Sequence, residues 1–134
     1  MLLSQFKEDS EKQQNGTPIY IGDATFFGRR FGTPESKKVL KELRDKLFGP
    51  LHKWTEQDDD ILLGHWLTEY GIVDWDGVHA EDGELKYNKK TARTIFLDPE
   101  YFLSLNAVLI RDLNNFENFL YDAAEEDVEA LKKN

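Results

Sequence analysis

The chain of 134 residues contains no cysteine, which excludes disulfide frameworks, thiol nucleophiles and cysteine-ligated zinc, and fits a reducing compartment. It also lacks any long apolar run. Lys7, Glu8, Asp9 and Glu11 follow Met1-Leu2-Leu3-Ser4 at once, so no secretory leader is expected, and a mean hydropathy of −0.62 argues against a membrane span. Basic charge is scarce: 17 Lys/Arg against 26 Asp/Glu give a net −9, which disfavours nucleic acid or an anionic membrane as partner. Only four prolines are present, so regular structure is interrupted at few points. What remains is a composition of 40% hydrophobic and 13% aromatic residues, that of a single domain with its own core.

The negative charge is unevenly placed. Residues 19–54 carry eight Lys/Arg against four Asp/Glu, a net +4, whereas residues 55–134 carry seven against nineteen, a net −12. Two readings follow: the halves neutralise each other within one molecule, or the basic part of one subunit meets the acidic part of the next, head to tail.

Patterning predicts an α+β fold, mainly α. Residues 1–18 read as a flexible N-terminal arm, polar apart from Phe6 in their body, and residues 19–134 as one globular domain ending in an acidic helical tail. Ile19-Tyr20-Ile21 and Ala24 to Phe31, separated by Gly22-Asp23, form an N-terminal β-hairpin whose apolar face must pack on helices or pair with another strand. About four to five helices follow, around a short turn-rich segment in the middle. Thr33 caps the first, with Pro34 in its first turn and Val39, Leu40, Leu43 and Leu47 at helical spacing. Thr55 caps the second, and Asp58 three residues on resembles a capping box. Residues 72–85 lose the period and read as turns or short strands. Asn88 caps a third helix, and Asp98-Pro99 opens a last helical region, either one long helix or two shorter ones, in which Asn114-Asn115 is the place for a break.

No constellation in the chain specifies catalysis. His52, His65 and His79 match no metal-ligand spacing; His65 with Asp58, Asp59 or Asp60 defines a minor alternative, a small metal-dependent enzyme. Counting Asp74 as the first position of a calcium loop places Val78 fifth, His79 sixth and Leu85 twelfth, so the pattern fails. No serine lies in a nucleophile elbow, and no phosphate loop is present. No cofactor and no metal are expected. The candidate partner-binding residues are Arg29 and Arg30, Lys37, Lys41 and Arg44 on the first helix, and the aromatic side chains Trp75, Phe116 and Phe119.

The order of these pieces resembles the tail assembly chaperones of long-tailed, lambda-type bacteriophages. Phe26-Phe27-Gly28-Arg29-Arg30-Phe31 is similar to the basic, aromatic second strand of that family. The closest likeness is Ile72-Val73-Asp74-Trp75-Asp76-Gly77-Val78, then Glu81-Asp82-Gly83-Glu84-Leu85, Tyr87 and a helix leading to Leu97-Asp98-Pro99-Glu100; the resemblance covers about residues 19–120. It implies a non-enzymatic chaperone that holds the tape measure protein, an apolar helical chain, in the host bacterial cytoplasm during virion morphogenesis, forming a weak homo-oligomer. It also implies a longer form, made by ribosomal frameshift near Lys132-Lys133, that recruits tail tube protein. The alternative within phage assembly is a head-tail connector or tail completion protein of the virion.

Overall fold

The computed structural model describes residues 1–121. Strands β1 (Thr17–Ile21) and β2 (Ala24–Gly28) pair antiparallel through a two-residue turn in which Gly22 takes a positive φ of 57°, as mirror-image hairpin turns require. Strand β3 (Ile72–Asp76) pairs antiparallel with the free edge of β2, so β2 is the central strand of a three-stranded sheet. The hairpin thus gains its third strand from the turn-rich middle of the same chain. Phe27 faces Asp74 while Gly28 faces Ile72, which leaves Val73 as an extra residue. This bulge brings Ile72 and Trp75 onto the same buried face, although they are three positions apart and regular alternation would oppose them.

The helices begin where side chains satisfy free backbone donors. In α1 (Ser10–Asn15) the Asp9 carboxylate accepts from the Glu11 N–H; in α2 (Pro34–Leu47) the Thr33 hydroxyl accepts from Ser36. In α3 (Glu56–Trp66) Thr55 and Asp58 form the reciprocal capping box. The chain continues through a wide π turn, Leu67–Gly71, directly into β3. A two-residue hairpin of β4 (His79–Ala80) and β5 (Gly83–Glu84) precedes α4 (Lys89–Phe96), where the Asn88 side chain accepts from Thr91. A second π turn, Phe102–Asn106, leads into α5 (Ala107–Leu113), and the helix ends at Asn114, followed by a 3-10 turn over Phe116–Phe119.

The fold is therefore α+β and mainly α, with the hairpin, preceded by the short α1, ahead of α2 to α5. Its core sits between the sheet and α3, α4 and α5, built from Phe26, Trp66, Leu67, Ile72, Trp75, Phe96, Leu109, Leu113 and Phe119. Trp75 is set edge-on to Tyr87 and Phe96, and its indole N–H donates to the Leu85 carbonyl at 2.7 Å. Gly64 permits the close approach of α3 to α4: a Cβ there would collide with the Phe96 carbonyl oxygen.

The N-terminal segment differs from a loosely attached arm. Glu8 bridges to Leu120, the Asp9 N–H donates to the Phe119 carbonyl at 2.7 Å, and Lys12 Nζ donates to the Leu120 carbonyl at 2.7 Å. Polar and backbone hydrogen bonds, which leave no hydrophobic period, fasten this segment to the body. The break at Asn114-Asn115 occurs where the sequence places it, but Phe116–Phe119 forms one tight turn instead of a second helix. The acidic stretch Glu125 to Glu129 and Lys132-Lys133 lie outside the described residues.

Arg30 is the fastening on the other side of this junction. Its side chain is only 14% exposed and meets Glu8 Oε1 at 2.6 Å. Replacing it by Met keeps the aliphatic stem but takes the donor from the Glu8 carboxylate and the Phe31 carbonyl, while the Leu113 carbonyl keeps the Phe31 N–H; urea unfolding should show a loss of about 2–4 kcal/mol. A Lys37→Met change on exposed helix should stay within about 0.5 kcal/mol, and equal effects of the two would contradict this role for Arg30.

Candidate functional site

The structure divides the eight sequence-derived partner residues into an inner and an outer group. Arg29 donates to the carbonyls of Gln14 and Tyr70 at 2.8 and 2.9 Å and lies 4.7 Å over the Tyr70 ring. Arg30 donates to the Phe31 and Leu113 carbonyls and to Asn114 Oδ1, and stacks over Phe119. Trp75 and Phe119 are buried, and Phe116 is half-buried against Phe6. These five side chains face the protein itself, and Trp75 and Phe119 in particular offer no surface to a partner. Lys37, Lys41 and Arg44 remain exposed, spaced by four and three residues along one face of α2.

That face ends at an aromatic pocket of about 510 Å³ lined by Lys41, Arg44, Phe48, Pro50, His52 and Trp54. The Arg44 guanidinium sits 5.0 Å over the Trp54 ring, and Phe48 packs at 5.0 Å from Trp54 and 4.8 Å from His52. Trp54 Nε1 donates to Asp59 Oδ1 at 2.9 Å. His52 Nε2 lies 2.7 Å from Asp58 Oδ2, which also accepts from the Thr55 N–H. The hydrogen bond to His52, aided by that from Thr55, holds the Asp58 carboxyl below its ordinary range against the opposing effect of burial.

A second surface escaped the sequence reading. Leu63 of α3 faces Phe102, Leu103, Ala107 and Ile110 across an apolar groove of about 330 Å³, with Asp60 and Arg111 at its rim. Leu103 is 85% exposed. At the groove, the buried Asn106 donates through Nδ2 to the Phe96 carbonyl at 2.8 Å, while its Oδ1 has no partner among the described residues. A buried acceptor left in this state costs about 1–3 kcal/mol unless a donor reaches it. The signal for this surface was a second helical spacing, Leu103, Ala107 and Ile110, beside the dominant stripe of Leu105, Leu109 and Leu113.

The carboxylates proposed to join His65 in a metal site separate. Asp58 engages His52, Asp59 engages Trp54, and Asp60 lines the α3–α5 groove. His65 instead lines a depression of about 550 Å³ with Glu42, Lys46, Glu69 and Arg93. Its burial lowers the imidazole pKa, opposed by Glu69 and reinforced by Arg93 and Lys46. Among the described residues, no group of three or more His, Asp or Glu is placed to hold a metal ion. None of their helices is long and apolar enough to cross a membrane. Comparisons with family models, curated proteins and solved structures gave no match to this chain.

Because the folded-state pKa of Asp58 is depressed, its contribution to stability is complete above the unfolded carboxylate value and is lost as pH falls through the folded one. Helical circular dichroism should therefore show an acid transition below about pH 4 to which Asp58 contributes. Asp58→Asn should lower stability at neutral pH and flatten that acid limb; an unchanged pH profile would remove the role assigned to the His52–Asp58 pair.

Proposed function

We propose that this protein is a non-enzymatic tail assembly chaperone of a long-tailed bacteriophage, acting in the host cytoplasm on the tape measure protein. The observation that carries the reading is the α3–α5 groove: an exposed Leu103 with Leu63, Ala107 and Ile110 beside it. Such a surface suits the apolar face of a helix laid into a groove. The likeness of residues 72–100 to the chaperone family supplies the identity of that helix. The net charge of −9 supports the same role, since repulsion between loaded copies opposes their aggregation. Many copies along one long partner need only weak individual contacts, which linkage multiplies. A frameshifted longer form would bring tail tube protein to the same partner.

Co-expression with the tape measure protein of the same phage tests the reading. The chain should raise the soluble fraction of that protein several-fold, and the double variant Leu103→Asp/Ile110→Glu should lose this effect while keeping its circular dichroism. Equal solubility with and without the chain, or recovery of the chain as a permanent component of purified virions, would count against a chaperone and, in the second case, for a connector.

A further inference from the structure

The connection from α2 to α3 holds large apolar side chains in water. Leu51 is 98% exposed, and Leu47 and Trp54 to either side of it in sequence are 37% and 36% exposed. Exposed apolar side chains gathered in one short stretch of so polar a chain mark a contact surface. Phe48, Pro50, His52 and Trp54 of the same stretch line the pocket of about 510 Å³, with Lys41, Arg44 and one acid, Asp45, at its α2 side.

The rings of this pocket are fixed from outside it. The Trp54 indole N–H donates to Asp59, and the His52 ring is hydrogen-bonded to Asp58; both acids stand in the first turn of α3. Phe48 lies edge-on to Trp54, and Arg44 covers the Trp54 ring. Side chains already held in place lose little freedom when a ligand arrives, so the pocket is prepared for an apolar side chain. Leading to it, Lys37, Lys41 and Arg44 span about 10 Å of α2, a distance that an extended peptide covers in about three residues. Among the described residues, no ion pair engages any of the three.

We propose that this face binds an acidic, extended segment of a partner protein, its carboxylates on Lys37, Lys41 and Arg44 and an aromatic side chain anchored between Phe48, Pro50 and Trp54. The charges set the direction of the segment, and the anchor supplies most of the affinity. Basic and aromatic groups together also suit single-stranded nucleic acid. The net charge of −9 decides between them: the surface beyond α2 repels each further phosphate of a polyanion, whereas a short peptide ends where the basic face ends. The inference concerns α2 and its pocket and does not depend on what fills the α3–α5 groove.

Trp66 and Trp75 are buried, so the indole N–H of Trp54 reports on this site in the full chain. Dodecapeptides of Asp, Glu and Ser, each with a single Phe at a different position, are titrated against it by NMR. At least one should shift the Trp54 signal saturably, and replacing its Phe by Ala should weaken binding about ten-fold. In 1 M salt, where the screening length is about 3 Å, binding should weaken by a similar factor. Lys37→Glu/Lys41→Glu, which leaves Arg44 on the Trp54 ring, should also lose the shift, whereas the groove variant Leu103→Asp/Ile110→Glu should bind unchanged. No shift with any of the peptides, or an equal shift with peptides of Lys and Ser, would overturn the proposal. So would loss of binding in the groove variant, and tighter binding of oligothymidylate than of every peptide would assign the face to nucleic acid instead.

Discussion

A helix leaves its last carbonyls without intrahelical donors, and a small domain in which several helical segments end near one another must supply donors from elsewhere. Arg29 and Arg30, at the exit of the central strand β2, supply them. The Arg30 backbone N–H donates to the Gln13 carbonyl in the last turn of α1, and the Arg30 side chain to that of Leu113 at the end of α5. Arg29 donates through its side chain to Tyr70 and through its backbone to Gly71, in the π turn that closes α3. The favourable placement of positive charge at helix C-termini acts in the same direction. Glu8 balances one of the two charges, and the Tyr70 and Phe119 rings cover the guanidinium planes. The junction of N-terminal segment, sheet and last helix depends on this pair.

Turning these arginines inward determines what is left outside. The basic segment of the sequence is split by the fold, with its first two charges absorbed by helix ends and five of the other six displayed along α2. The core takes Trp66, Trp75 and Phe119, while Trp54 remains at the rim of a pocket beside Arg44. Leu103, in the π turn before α5, and Ile110, at the edge of the core, line the groove, while Leu109 and Leu113 fill the core. Two surfaces of different chemistry result, one basic and aromatic, the other apolar.

The local features were legible because they depend on neighbours in the chain. Thr33, the Thr55–Asp58 box, Asn88, the Gly22 turn and the break at Asn114 each act over a few residues, and each stands where the sequence places it. What escaped was the direction in which long side chains turn. An arginine beside an aromatic run has the same sequence whether it awaits a partner or binds Leu113, 83 positions away. The bulge at Val73 is equally silent, since only pairing with β2 reveals the extra residue. The N-terminal segment was read as an arm because its attachment uses hydrogen bonds to Phe119 and Leu120 and buries no helical residue of its own. The groove at Leu103 was hidden by the stronger stripe beside it.

The central claim is that partner binding belongs to the α3–α5 groove and that the arginine pair is structural. Hydrogen exchange of the full chain, alone and with an apolar helical segment of the tape measure protein, tests it most directly. The account predicts slowed exchange in Phe102–Asn106 and the start of α5, with residues 26–31 unchanged. Protection of residues 26–31 without any change around Leu103 would contradict it.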